Sequence, residues 1–73
     1  EANAQNNEGI TPLMYLAMAE YRSDEEQTAL ISIAKILTDH KADTTLRDNE
    51  GKSAVDYAKL YNNLGLEQWL RTR

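Results

Sequence analysis

The first candidate for chemistry is Gly51-Lys52-Ser53, which matches the last three residues of a P-loop. A complete P-loop needs another glycine at position 46, where this chain has Leu46. Asp48 would also place a carboxylate inside the phosphate cradle, and no buried strand precedes the turn. The pattern therefore favours a structural role, in which Gly51 allows a positive φ and Ser53 caps a helix.

Three other groups of ionisable residues invite a chemical interpretation. Asp48–Gly51 resembles part of a calcium loop, but position one of an EF-hand would again be Leu46. His40 is the single histidine, and no serine or cysteine stands near it in a nucleophile arrangement. Asp24–Glu26 are consecutive acids that suit a helix dipole better than a cation, because neighbours on a helix do not converge. We expect no catalytic, cofactor or metal site, and therefore no enzyme.

Composition narrows the class of partner. The chain has 73 residues, a net charge of −4 and no cysteine, which suits a small domain in a reducing compartment, the cytoplasm or nucleus. No basic stripe is present for a nucleic acid, and no apolar run is long enough for a membrane.

The sequence begins with Glu1 rather than methionine, so we expect a fragment or a processed chain. Because so small a chain buries little surface, neighbouring units are the expected source of additional stability.

The apolar pattern predicts four helices and no sheet. Thr11-Pro12 is an N-cap followed by proline at the first helical position, and the first helix is expected to run to about Tyr21. Ser23 and Glu26 have capping-box spacing and predict a second helix ending near His40. That second helix is expected to be well buried, since its apolar stripe is wide: Leu30, Ile31, Ile33, Ala34, Ile36 and Leu37.

The second half of the chain repeats this plan. Residues 42–52 are polar and predict an extended connection with a tight turn. Ser53 is expected to cap a third helix, Asn62-Asn63 to break it, and a fourth helix to carry Leu66, Trp69 and Leu70. The prediction is two helix pairs joined by a polar loop.

The two halves also share an internal repeat. Residues 6–17 align with 48–59 without a gap, at an offset of 42 residues. Gly9 matches Gly51, Tyr15 matches Tyr57, and the caps Thr11 and Ser53 coincide. Each glycine is expected to form the same corner of two successive stacked units.

These motifs resemble the ankyrin repeat family. Thr11-Pro12-Leu13-Met14 is close to the family's T-P-L-H-x-A signature, and Ile33–Leu37 followed by His40–Asp43 resembles the second helix and its exit. The resemblance implies an all-α, ankyrin-type solenoid of two helix-turn-helix repeats joined by a β-hairpin-like finger loop, with no cofactor. Lys41 stands where the family usually has glycine, so a left-handed backbone there would be strained.

The resemblance divides the chain into three parts. Residues 1–5 match the tail of a preceding repeat, 6–47 form a repeat with an insertion near 21–29, and 48–73 form a terminal capping repeat. The insertion is about nine residues, since the family period is about 33, and an acidic extension of the second helix is the simplest account. Upstream repeats of the same chain are expected, and their absence would expose Leu and Ile faces of the first helix pair.

The implied function is a protein–protein interaction module, with another protein as partner. Family members bind through the finger-loop tips and the exposed side of each first helix, which form a concave face. Carried over residue by residue, the expected partner-binding residues are Asn7, Glu8, Ile10, Met18, Arg47, Asn49, Glu50, Lys52 and Tyr61. The alternative is a purely structural role, in which the repeats cap or brace a larger protein without touching a partner.

Overall fold

Four α-helices are present in the computed structural model, which describes residues 2–20 and 22–72. They are α1 (Pro12–Ala17), α2 (Asp24–Asp39), α3 (Ala54–Leu60) and α4 (Leu64–Arg71). Helix α1 packs on α2 and α3 on α4, while α1 also contacts α3 and α2 contacts α4. The described residues form no strand. The predicted all-α fold of four helices is confirmed for the described residues.

The helix starts follow the predicted capping residues, with one difference in detail. Thr11 Oγ1 accepts from Met14 N at 3.2 Å, and Pro12 occupies the first helical position. Ser23 Oγ likewise accepts from Glu26 N at 3.2 Å. The predicted reciprocal bond is wrong, because the Glu26 carboxylate reaches one residue further back and accepts from Arg22 N at 2.8 Å.

Helix α1 ends earlier than predicted. It stops at Ala17, and Tyr21, the expected end, lies outside the described residues. The buried Asn63 side chain donates to the carbonyls of Ala17 and Ala19, at 2.6 and 2.9 Å. These carbonyls would otherwise need helical partners further along the chain. An amide 46 residues away in the sequence therefore satisfies the end of α1 and ties the two helix pairs together.

The core lies between the helix pairs. Its buried apolar residues are Leu13, Met14, Ala17, Ala34, Ala54, Tyr57, Ala58, Leu66 and Leu70. The prediction that α2 is well buried is wrong, because Ala34 is its only fully buried residue among those described. Ile33 and Ile36 are 46% and 55% exposed. Helix α2 touches α1 and α4 through the side centred on Ala34, and its wider apolar stripe continues past that contact onto the surface.

The end of α2 has a left-handed residue. Lys41 N donates to Thr38 O and Ala42 N donates to Leu37 O, both at 2.9 Å, which is the Schellman arrangement. Lys41 has φ = 70°, so it adopts the left-handed conformation that is strained for a residue other than glycine. The side-chain amide of Asn3 then donates to Lys41 O at 3.0 Å and fixes the chain that leaves the helix.

Candidate protein-interaction surface

Two turns of nearly identical geometry precede α1 and α3. In the first, Asn6 Oδ1 accepts from the amides of Glu8 and Ile10, at 2.9 and 3.0 Å. In the second, Asp48 Oδ1 accepts from the amides of Glu50 and Lys52, both at 2.9 Å. The glycines that close these turns share one conformation, with φ of 81° at position 9 and 80° at position 51. Each turn is a compact polar loop held by its own Asx side chain.

A tyrosine from the following helix braces each turn. Tyr57 is buried and its hydroxyl donates a short hydrogen bond to the Asp48 carboxylate. This bond is the main reason that the pKa of Asp48 lies below its usual range and that the pKa of Tyr57 is raised to about 12. In the first turn the Asn6 amide donates to the Tyr15 hydroxyl at 2.9 Å. The same two positions are bonded, but the donor and acceptor have exchanged roles.

The two turn tips are bonded to each other. Asn49 N donates to Glu8 O at 2.9 Å, and Asn49 Nδ2 donates to Asn7 O at 2.8 Å. Gly9 makes this approach possible, since a Cβ there would lie 2.9 Å from Asn49 N and 3.0 Å from Asp48 Cα. The two tips therefore form one continuous surface, which we call the ledge: Asn7, Glu8, Asn49 and Glu50. The bonds between the tips fix the relative position of its exposed side chains.

The charged side chains of the second tip are paired locally. Lys52 Nζ lies 3.1 Å from Glu50 Oε1, and this contact is the main reason that the pKa of Lys52 is raised. Arg47 Nη1 donates to Gly51 O at 2.7 Å and lies 3.5 Å from Asp56 Oδ2. These pairs are exposed, so they add little stability, but they hold both signs of charge in place around the ledge.

The nine predicted partner-binding residues fall into two groups. The structure brings seven of them together at or beside the turn tips: Asn7, Glu8, Ile10, Arg47, Asn49, Glu50 and Lys52. Met18 and Tyr61 lie instead at the far ends of α1 and α3, where each is the C-cap. The two groups are separated by roughly the length of these short helices, about 10 Å.

Sequence reasoning missed one prominent residue on this side of the molecule. Leu60 occupies the position in α3 that Met18 occupies after α1, at the same offset of 42 residues. It is exposed, whereas Met18 is only half-buried. The alignment of the two halves could have identified Leu60, because Leu60 is the residue that aligns with Met18.

The turn chemistry bears on the other candidate sites. The amides of Glu50 and Lys52, which a phosphate would need, already donate to the Asp48 carboxylate. Within residues 2–20 and 22–72, no three metal-ligating side chains are grouped closely enough to hold an ion. None of the helices in that part of the chain has the length and apolar character needed to cross a bilayer.

A shallow groove opens beside the first helix pair. It is lined by Ala2, Pro12, Leu37 and His40. Ile33 and Ile36 of α2 precede Leu37 and the C-cap His40 by four residues, so each pair lies on the same side of the helix. The chain has no significant match to a protein-family model, a curated protein or a solved structure.

Proposed function

We propose that this chain is a protein-interaction module of the ankyrin type, whose ledge of finger-loop tips and first-helix surface contacts another protein. The direct bonding of the two tips, Asn49 N to Glu8 O at 2.9 Å, is the observation that carries the proposal. A ledge ordered before binding loses little conformational entropy when a partner docks. The mixed charges and amides of the tips would set register, and the apolar side chains at the helix ends would supply most of the affinity.

The same proposal extends to the solenoid arrangement. The repeated turn, the repeated capping and the lateral α1–α3 and α2–α4 contacts are what successive stacked units require. A module of this kind needs no cofactor and no catalytic group, and we place it inside the cell. Addition of ATP or GTP should leave the melting temperature unchanged, whereas a thermal shift would reopen the enzyme alternative.

A second candidate function, the structural role, is favoured by the unequal faces of the two helix pairs. Tyr57 is buried, with 7% of its surface exposed. Tyr15, at the equivalent position of the first pair, is 57% exposed. Beyond the insertion the offset falls to about 33, so Ile33 and Ile36 correspond to the core-packed Leu66 and Trp69. The positions that are apolar and exposed on the first pair are therefore apolar and packed into the core on the second pair. Upstream repeats of the same chain are the proposed cover.

The opposite face of the second pair is polar. Met14 and Ala17, which the second pair covers, correspond to Asp56 and Lys59, and both of these are exposed. A further unit stacked there would bury two charges, at a cost that ion pairing only partly offsets. A polar outer face is what a terminal capping repeat needs for solubility. The second pair therefore suits the closing unit of an array.

Alanine substitutions in the full-length protein separate the two candidates. Glu50→Ala and Tyr61→Ala remove exposed side chains from the two parts of the proposed surface, with Gln68→Ala on α4 as the exposed control. The interaction role predicts about a tenfold loss of partner affinity for at least one of the first two variants and none for the control. Unchanged binding in all three would leave only the structural role.

A further inference from the structure

The large apolar side chains that are exposed among the described residues form two sets. Tyr15, Ile33 and Ile36 belong to the face that the proposed stacking would cover. The second set is confined to the turn between α3 and α4, and we call it the corner patch: Leu60, Tyr61 and Leu64, which are 66%, 44% and 57% exposed.

Stacking does not account for the corner patch. Leu60 ends α3, Tyr61 is its C-cap and Leu64 begins α4. They therefore lie at the end of the helix pair rather than along the side that carries Tyr57 and Leu66 into the core. The three residues are close in the chain, and clustered exposed apolar side chains are a common feature of interaction surfaces.

An acidic segment lies against this corner. The Asn63 amide, beside Leu64, bonds the carbonyl of Ala19 at 2.9 Å, and the Gln27 side chain packs directly on Gly65. The described residues next to these two anchors are therefore close to Leu64, one member of the corner patch. They include one exposed base and four exposed acids: Arg22, Glu20, Asp24, Glu25 and Glu26.

We propose that the corner patch, together with the exposed acids Glu20, Asp24, Glu25 and Glu26, binds an amphipathic segment of a partner protein that combines aliphatic side chains with flanking lysine or arginine. The aliphatic groups would cover the three apolar side chains, and the basic groups would pair with the acids alongside. An anionic membrane is the poorer fit, because the acidic segment would repel it. The proposal rests on the proposed function, since Tyr61 belongs to both surfaces.

Two short peptides of matched design test this surface. Both carry leucine at i, i+3, i+4 and i+7, and their polar faces are lysine in one and glutamate in the other. Fluorescence anisotropy should show the lysine peptide binding at least about tenfold more tightly than the glutamate peptide, with the difference shrinking as salt is added.

Variants locate the binding. Leu60→Ser combined with Leu64→Ser should weaken the lysine peptide by about tenfold or more, and Glu20→Gln with Asp24→Asn should reduce the preference for lysine. Ile33→Ser with Ile36→Ser, on the other exposed apolar face, should leave binding unchanged. All these side chains are exposed, so each variant should fold, and circular dichroism provides the check.

Four results would overturn the inference: equal affinity for the two peptides, no detectable binding of either, binding that depends on Ile33 and Ile36 alone, or stronger binding to phosphatidylserine vesicles than to the lysine peptide. Glu50→Ala provides the link to the proposed function, because it alters the turn tips and leaves the corner patch intact. A failure here with partner affinity still dependent on Glu50 removes only the corner patch. Partner affinity that depends on neither Glu50 nor Tyr61 removes the proposed function itself.

Discussion

Lys41 carries a side chain in a backbone conformation that favours glycine. Its φ of 70° is required by the two bonds that end α2, so the residue cannot relax without opening the Schellman turn. The strain at Lys41 is therefore imposed by the hydrogen bonds that end the helix.

Replacing Lys41 with glycine should stabilise the chain by about 1 kcal/mol, because glycine adopts this conformation without the Cβ penalty. Urea unfolding would show the gain as a higher midpoint at unchanged slope. Lys41→Ala controls for loss of the charged side chain, and should give no such gain. Lys35→Gly, inside α2, should move the midpoint the other way by about 1 kcal/mol. A midpoint lowered by Lys41→Gly would contradict the assignment.

The Asp48–Tyr57 bond predicts that the chain loses stability both in acid, through Asp48, and in alkali, through Tyr57. The pKa of Asp48 is lowered in the folded state, so its contribution is present above the ordinary value of about 3.9 and is lost as the pH falls through the lower folded value. The pKa of Tyr57 is raised to about 12, so its contribution is present below about 10 and is lost as the pH rises from there towards 12.

Asp48→Asn is a conservative test, because Asn6 already occupies the equivalent place in the first turn. Melting temperatures measured across pH should show the advantage of the native chain over this variant shrinking below about pH 4. Absorbance titration should show one tyrosine ionising near pH 12, and Tyr57→Phe should remove it. An unchanged high-pH tyrosine in Tyr57→Phe would contradict the assignment.

At the scale of elements, the sequence predicts the helix starts and the two similar turns. Thr11, Ser23 and Ser53 act at short range through their own backbone neighbours, so local patterns located the helix starts. The matched glycines likewise predicted two turns of one shape. The periodicity of apolar residues identifies a helix but does not determine which of its sides packs against another element. The exposure of Ile33 and Ile36 therefore cannot be predicted from it.

Contacts between the two helix pairs cannot be predicted from local sequence patterns. Asn63 looked like a helix breaker, yet its buried amide bonds two carbonyls of the first helix pair. Asn49 looked like an exposed tip residue, yet it also bonds the neighbouring tip. Both bonds join residues more than 40 positions apart, and no spacing rule within one helix or turn contains that information.

The lateral contact between the turns predicts unequal effects for two matched substitutions. Gly51→Ala should cost about 1–2 kcal/mol, because the left-handed conformation is strained but the space beside it is open. Gly9→Ala should cost more, since its Cβ would also press on the backbone of Asp48 and Asn49. Denaturant midpoints for the two variants provide the measurement. Equal losses would show that the tips separate without cost and would weaken the proposal of a rigid ledge.

For the whole molecule, the distribution of apolar side chains links stability to assembly. The core is small and lies between the two helix pairs, so each pair depends on the other. On the second pair, Asp56 and Lys59 are exposed at the positions that correspond to buried Met14 and Ala17, while Ile33 and Ile36 are exposed on the first. If their apolar character serves a neighbouring unit rather than the core, removing it should affect association and hardly affect folding.

Ile33→Ala and Ile36→Ala should therefore each change the free energy of unfolding by less than about 1 kcal/mol, since the lost burial is partial and alanine favours the helix. Leu66→Ala, at the position in α4 that corresponds to Ile33, should cost about 2–5 kcal/mol because that side chain is fully buried. Chemical unfolding measures both, and sedimentation at rising concentration should show weaker self-association for the isoleucine variants alone. Large losses of stability at Ile33 and Ile36 would instead place them in the core of this chain, and the exposed face would then need no neighbour to explain it.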